Sequence, residues 1–248
     1  MKTTLNNAIV CSTDYNYAKY LNTLLTTLKR VKSNIEVFVR LVDFTVEQVN
    51  EMKLLYDCNF IIDDPNLSNE KTLFKTKNFQ ELGSVYNIKN IKEIRKVLYS
   101  PRSFYTCHSR FKTINELLLK NYNVLSLDCD TIVLKNFDDI FNNITHDIYT
   151  VKNKDNDDIF SNEGFLLFKN TASNKELLKN INEYLFEKEN YLNWDGDHIA
   201  LHKFFNYNTQ SIKLLDVEYK DKQHLDTSIM WSGDGKNKYE QKFASNLV

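Results

Sequence analysis

Glycine and proline are scarce, with 5 and 2 residues in a chain of 248, where average usage of about 7% would give roughly 17 glycines. So few breakers leave no Gly-, Ser- or Pro-rich linker to divide domains and no Gly-rich phosphate loop near the N-terminus. The 4 cysteines, Cys11, Cys58, Cys107 and Cys129, lie far apart and form no CxxC pair, which sets aside a zinc ribbon and a disulfide framework and points to buried thiols in a reducing compartment. No apolar run reaches about 18 residues, and "MKTTLNNAIVCST" lacks the apolar core and cleavage site of a signal peptide. The expectation is a cytoplasmic protein without a transmembrane segment. An excess of one charge is also missing: Lys+Arg 32 against Asp+Glu 33 gives a formal net charge of -1, so no overall basic field draws in nucleic acid. A small-molecule partner is expected instead.

Hydrophobic residues make up 42% of the chain and aromatics 13%, enough for one large domain with a substantial core. "NAIVCST" reads as a strand and "YNYAKYLNTLLTTLKRV" as a helix with apolar residues at helical spacing. "IEVFVRLVD" is a strand buried on both faces, "TVEQVNEMKLLYD" a helix capped by Thr45, and "NFIIDD" a third strand. This alternation predicts βαβ crossovers and a mostly parallel sheet flanked by helices, an α/β fold. Residues 65–83 are polar and have no assigned element. Helices are expected over 85–99 and 103–122, then a strand over 124–134, short strands at "DIYTV" and "GFLLFK", and helices at "NKELLKNINEYLFEKE" and "DHIALHKFF". A strand at "SIKLLDV" precedes a polar tail. Four of the five glycines, Gly164, Gly196, Gly233 and Gly235, fall in the C-terminal half.

"VLSLDCDTIVL" carries two aspartates, Asp128 and Asp130, at the end of an apolar run. Chance gives about one or two D-x-D triplets in a chain of this composition, and two others occur, at Asp155/Asp157 in a charged loop and at Asp195/Asp197. Context singles out the first pair, because the carboxyl edge of an α/β sheet is where ligands bind. Two adjacent carboxylates do not both stay ionised cheaply without a cation. Their oxygens suit a hard divalent ion such as Mn²⁺ or Mg²⁺ bridging to phosphate. A strand terminator beside a helix cap is the structural alternative.

Together with "CSTDYNYAKYL", this motif resembles a family 8 glycosyltransferase of the GT-A fold, similar to glycogenin and to bacterial lipopolysaccharide galactosyl- and glucosyltransferases. The resemblance implies a single GT-A domain over 1–248, with a nucleotide-binding half (1–135) and a sugar- and acceptor-binding half (136–248). It implies transfer of a hexose from a UDP-sugar to a hydroxyl acceptor on a glycan or glycoconjugate, with retention and with Mn²⁺ or Mg²⁺. The donor-binding positions it marks are Ser12, Asp14, Asn16 and Tyr17 for the nucleoside, Arg110 and Lys112 in "SRFKTINELL", and Asp128, Cys129 and Asp130. Asn162 and Gly164 in "SNEGFLLFKN" and Gly233 and Lys236 in "MWSGDGKNKY" complete the set. Catalytic roles fall to Asp197, His198 and Arg110, with Asp197 preferred over Asp195 in "WDGDHIALHKFF". The chain departs from the pattern at Glu163, at His198 where glutamine is usual, and at Met230 where a metal-binding histidine is usual; either His224 from a displaced loop is the third ligand beside Asp128 and Asp130, or water fills the position, or metal affinity is weak. A homodimer is left open.

Two other readings stay open at this stage. Those departures also fit a degenerate UDP-sugar binder. A haloacid-dehalogenase-type phosphatase shares the strand and Asp-x-Asp, although its motif opens the domain and here it lies mid-chain.

Overall fold

The computed structural model describes residues 5–68, 70, 72–75, 96–152, 159–160, 164–187, 192, 196–233 and 237–247. The first half follows its hydrophobic periodicity. Strand β1 (Asn6–Asp14) leads through a short 3-10 turn into helix α1 (Ala18–Arg30), then β2 (Glu36–Val42), α2 (Val46–Leu55) and β3 (Asn59–Asp63). Thr45 caps α2 in a reciprocal capping box, its side chain accepting from the Gln48 backbone while the Gln48 side chain accepts from the Thr45 backbone. A β4 (Thr72–Lys75) and β5 (Lys96–Tyr99) hairpin precedes the longest helix, α3 (Pro101–Leu119). Helix α3 starts as its chemistry dictates, with Ser100 as cap accepting from the Ser103 backbone and proline at the first turn.

The second half contributes β6 (Tyr122–Leu127), β7 (Thr131–Val133), β8 (Ile148–Val151), β9 (Phe165–Phe168), α4 (Ala172–Asn182), α5 (Gly196–Phe204), β10 (Ile212–Leu215), β11 (Met230–Ser232) and α6 (Gln241–Ala244). The main sheet has seven strands in the order β10-β8-β9-β6-β1-β2-β3. Only β9 runs against the others, pairing antiparallel with both β6 and β8. From β1 the chain winds outward through β2 to β3, then returns behind α3 to place β6 on the other side of β1. The strand order therefore reverses between β1 and β6, and the crevice beyond their carboxyl ends is the usual ligand position in such sheets.

Alternation along β1 splits the core into two layers. Ile9 and Cys11 face α1 and α2 with Leu21, Leu24 and Leu28. Ala8 and Val10 face α3 and α4 with Phe111, Ile114 and Leu178. Both layers are buried and apolar, and their strands carry apolar residues on both faces as a covered parallel sheet requires.

Three sequence expectations are corrected. Residues 96–99 are a strand rather than the end of a helix, and the rest of that helix lies outside the described residues. The run from Val124 to Leu134 is not one strand: it breaks at a turn over Asp128–Asp130, and β7 joins β11 in a separate two-stranded sheet. The polar tail holds structure, since β11 and α6 bury Met230, Trp231 and Phe243.

Candidate active site at the β1–β6 crevice

The break after β6 puts Asp128 and Asp130 in a turn, where neither the alternation of a strand nor a cap fixes them. Two glycines do. The Asp128 N–H donates to the Gly164 carbonyl at 3.1 Å, and a Cβ on Gly164 would lie 1.8 Å from Asp128 Oδ2. The Gly233 N–H donates to the Asp130 carbonyl at 2.8 Å, and a Cβ there would lie 2.7 Å from that oxygen. A Cβ at Gly233 would meet backbone and one at Gly164 would displace the Asp128 and Lys220 side chains, so these two glycines make room for the aspartate turn and its cation.

Each carboxylate meets cations. Arg110, on the buried side of α3, donates to Asp128 Oδ1 at 2.5 Å through Nη1 and to Asp197 Oδ2 at 3.1 Å through Nη2. Lys220, at the end of the 3-10 turn Val217–Lys220, donates to Asp128 Oδ2 at 3.4 Å. Lys238, in the turn before α6, donates to Asp130 Oδ2 at 2.9 Å. Arg110, Lys220 and Lys238 thus balance Asp128, Asp130 and Asp197, one cation for each carboxylate. Burial pushes the Asp128 carboxyl up, but Lys220 and Arg110 overcome it and hold it at about 2. Asp130 moves the other way, raised by burial and by Asp128 against the pull of Lys238. Lys238 is raised in turn, Asp130 outweighing the cost of burial.

Asp197 opens helix α5, where its Oδ1 accepts from the His198 backbone at 2.9 Å. His108, two residues before Arg110 on α3, is buried. Its Nδ1 is 2.7 Å from the Phe104 carbonyl, which makes that nitrogen the donor, and its Nε2 faces Asp197 Oδ1 at 3.5 Å. Burial raises the Asp197 carboxyl, yet His108, Arg110 and the His198 N–H together hold it well below the usual carboxylate range.

At the end of β1, Asp14 is buried and its Oδ1 has no hydrogen-bond partner. Burial raises its carboxyl, opposed by the Tyr17 and Asn16 N–H groups. Asn16 is exposed and Tyr17 half-buried beside it. The Tyr17 ring packs on Tyr20 with centroids 5.3 Å apart and carries Lys238 at 4.9 Å. Asp14 and Tyr17 therefore sit beside the crevice with the aspartate pair.

Other expected residues are placed elsewhere. Ser12 is spent on the fold, donating to the Thr106 carbonyl at 2.6 Å. Lys112 is two residues from Arg110, about 200° around the helix, and donates to the Tyr105 hydroxyl at 2.6 Å, away from the aspartates. Burial lowers it. The Cys129 thiol is pushed well up by burial and by Asp130. His198 and His202 pack ring on ring at 5.0 Å. Asn162, Lys236 and Asp195 lie outside the described residues.

The donor set for Mn²⁺ or Mg²⁺ falls short. Among the described residues, no three His, Cys, Asp or Glu side chains gather as a metal-binding group. His224 is buried against Trp231 and Phe243, with Nε2 2.9 Å from the Ser232 carbonyl and Nδ1 3.4 Å from Glu240. Met230 has no exposed surface and packs in the core beside Val133. The two aspartates that would hold the ion already hold ammonium groups. Sequence reasoning missed Lys220, Lys238 and His108. The only available signal was the lysine cluster in "GDGKNKY", since contacts across 92 and 108 residues leave no local pattern.

Similar folds are known. GlyE of Streptococcus pneumoniae superposes with a TM-score of 0.60 at 12% identity, covering 99% of this chain and 61% of that one. The galactosyltransferase LgtC, solved with donor and acceptor sugar analogues, gives a TM-score of 0.59 at 14% identity and covers 97% and 96%. The bifunctional glycosyltransferase WbbM gives 0.56 at 14%, covering 100% and 50%. The chain thus spans about three fifths of GlyE and half of WbbM. No curated protein sequence matches it. These likenesses fix the fold as GT-A, which displaces the phosphatase reading. A family model described as nucleotide-diphospho-sugar transferase matches residues 84–242, a stretch that holds Arg110, the aspartate turn, Asp197 and both lysines. With more than half of the sequence inside that match, the chain belongs to the nucleotide-diphospho-sugar transferase family.

Proposed function

We propose that the protein is a family 8 glycosyltransferase that moves a hexose, glucose, galactose or N-acetylglucosamine, from a UDP-sugar to a hydroxyl of a glycan, protein or lipid-linked sugar, with retention at the anomeric carbon. The observation that carries this reading is Arg110, which bridges Asp128 at the end of β6 to Asp197 at the start of α5 across the switch-point crevice. Residues 1–135 serve the nucleotide and 136–248 the sugar and acceptor.

Each residue has work suited to its chemistry. Asp14, with a buried oxygen lacking a partner, reads the base edge, and the Tyr17 ring lies beside the base. Breaking the bond from the anomeric carbon to the diphosphate puts negative charge on the leaving group, which fixed cations of the aspartate turn stabilise. The acceptor oxygen forms the new bond to the anomeric carbon and passes its proton to the departing diphosphate. Asp197, kept ionised by Arg110 and His108, faces positive charge developing at the sugar. The His198 backbone holds that carboxylate in place. No step is assigned to a divalent ion, because among the described residues no third His, Cys, Asp or Glu joins Asp128 and Asp130.

Turnover decides the matter. UDP release should follow incubation with at least one of UDP-glucose, UDP-galactose and UDP-N-acetylglucosamine, and Asp130→Asn should lower it by about a hundredfold or more, the scale of one lost electrostatic group. Near-normal activity in that variant would sink the site. Donor binding without turnover across acceptors would mark a binder instead, a reading that rests on Met230, His198 and Glu163 departing from the family pattern.

A further inference from the structure

The aspartate turn raises a question the family reading does not answer, namely what neutralises it. Lys220 and Lys238 reach it from separate turns, 92 residues from Asp128 and 108 from Asp130. Their side chains are only 8% and 12% exposed, so ordering them there costs rotamer entropy and hydration that surface lysines do not lose. Both are held by built structure. Asp221, next to Lys220, accepts from the Leu225 and Gln223 backbones and from the Ser228 hydroxyl, and its own N–H donates to the Met230 carbonyl at 3.0 Å. Lys238 is stacked at 4.9 Å over Tyr17. A side chain at Gly164 would lie 2.3 Å from Lys220 Nζ as well as on Asp128, so that glycine makes room for the lysine as much as for the aspartate.

We propose that Lys220 and Lys238 take the place of the divalent ion, so that the protein binds its nucleotide-sugar donor through the diphosphate without metal. The inference rests on the transferase reading above. An ammonium has three N–H donors. With Asp128 and Asp130 as anchors, Lys220 and Lys238 turn N–H groups to the phosphate oxygens when the nucleotide binds, and Arg110 adds a third cation beside Asp128. The carboxylates orient the cations rather than bind an ion themselves. This accounts for the departure from the metal-binding pattern at Met230, which packs in the core, and for His224 bracing Ser232 and Glu240 instead of replacing it.

Two measurements on the intact chain test it. In the first, Mn²⁺ is titrated with protein and the free-ion signal followed by electron paramagnetic resonance. The wild type should leave the ion free, whereas Lys220→Gln/Lys238→Gln, with its carboxylates released, should bind it. Stoichiometric Mn²⁺ binding by the wild type would overturn the inference even if the double variant does not fold. In the second, UDP is titrated calorimetrically in EDTA and again with Mn²⁺. Affinities within about twofold are expected, with each single lysine variant weakening metal-free binding about ten- to a hundredfold, the range of one charge-assisted hydrogen bond. UDP binding that appears only with Mn²⁺ would overturn the lysine inference and leave the transferase reading intact. No UDP binding under either condition would overturn both.

Discussion

Replacing Arg110 with methionine tests the charge arrangement at its centre. The Arg110 side chain is 7% exposed and pairs with Asp197, itself 6% exposed, and with Asp128 at 31%. Methionine keeps most of the volume but leaves Asp197 with His108 and the His198 N–H, and Asp128 with Lys220. Removing one partner of a buried pair costs about 3–5 kcal/mol, because the other charge remains buried. The Asp128 half counts for less, being partly open to solvent. Lys242→Met is the control: its pair with Asp226 is exposed on both sides, 48% and 85%, and such pairs contribute about 0–1 kcal/mol.

Urea unfolding of both variants at pH 7 gives the comparison. The loss should depend on pH with a definite sign. Arg110 depresses Asp128 and Asp197, so its contribution is full above their ordinary pKa of 3.8 and declines as pH falls toward about 2, where the native Asp128 takes up its proton. Asp130, raised rather than lowered, works in the opposite sense and is unaffected by the substitution to first order. The gap between wild type and Arg110→Met should therefore narrow between pH 4 and pH 2. A cost below about 1 kcal/mol at pH 7, matching the control, would refute the claim that these charges form one buried unit.

Other expectations follow from the same geometry. Gly164→Ala places a Cβ on Asp128 Oδ2 and Lys220 Nζ; calorimetry should show UDP affinity down by about tenfold or more, with the circular dichroism spectrum unchanged. Met230→His puts a polar ring into the core beside Val133 and should cost about 1–3 kcal/mol in urea unfolding without creating Mn²⁺ binding. The Cys58 thiol is pushed up to about 11 by burial and Asp57, and Cys129 is also raised; alkylation by iodoacetamide at pH 8 should be slow in the native protein and rapid in denaturant.

The parts legible in the sequence were those with a local cause. Period-2 and period-3.6 patterns located β1 through β3, and Thr45 with Gln48 marked the start of α2. Asp128 and Asp130 stood out because carboxylates at the end of an apolar run have few inexpensive explanations. The pattern gave no sign that the run after Leu127 changes sheets, since β7 is as apolar as β6 and burial alone does not report which strand it pairs with. The resemblance marks Lys112 together with Arg110 in "SRFKTINELL", whereas helix geometry sends them to opposite sides. Lys220, Lys238 and His108 act through contacts that only the folded chain creates, and a single lysine in a polar segment looks like any solvated cation. Met230 follows the same logic, because its burial depends on β11 pairing with β7.

A crystal structure with UDP bound tests the central claim most directly. The diphosphate should lie in the β1–β6 crevice within hydrogen-bond reach of Arg110, Lys220 and Lys238, with the uracil beside Asp14 and Tyr17. Nucleotide bound elsewhere on the molecule, or a crevice left without it at saturating UDP, would contradict that claim.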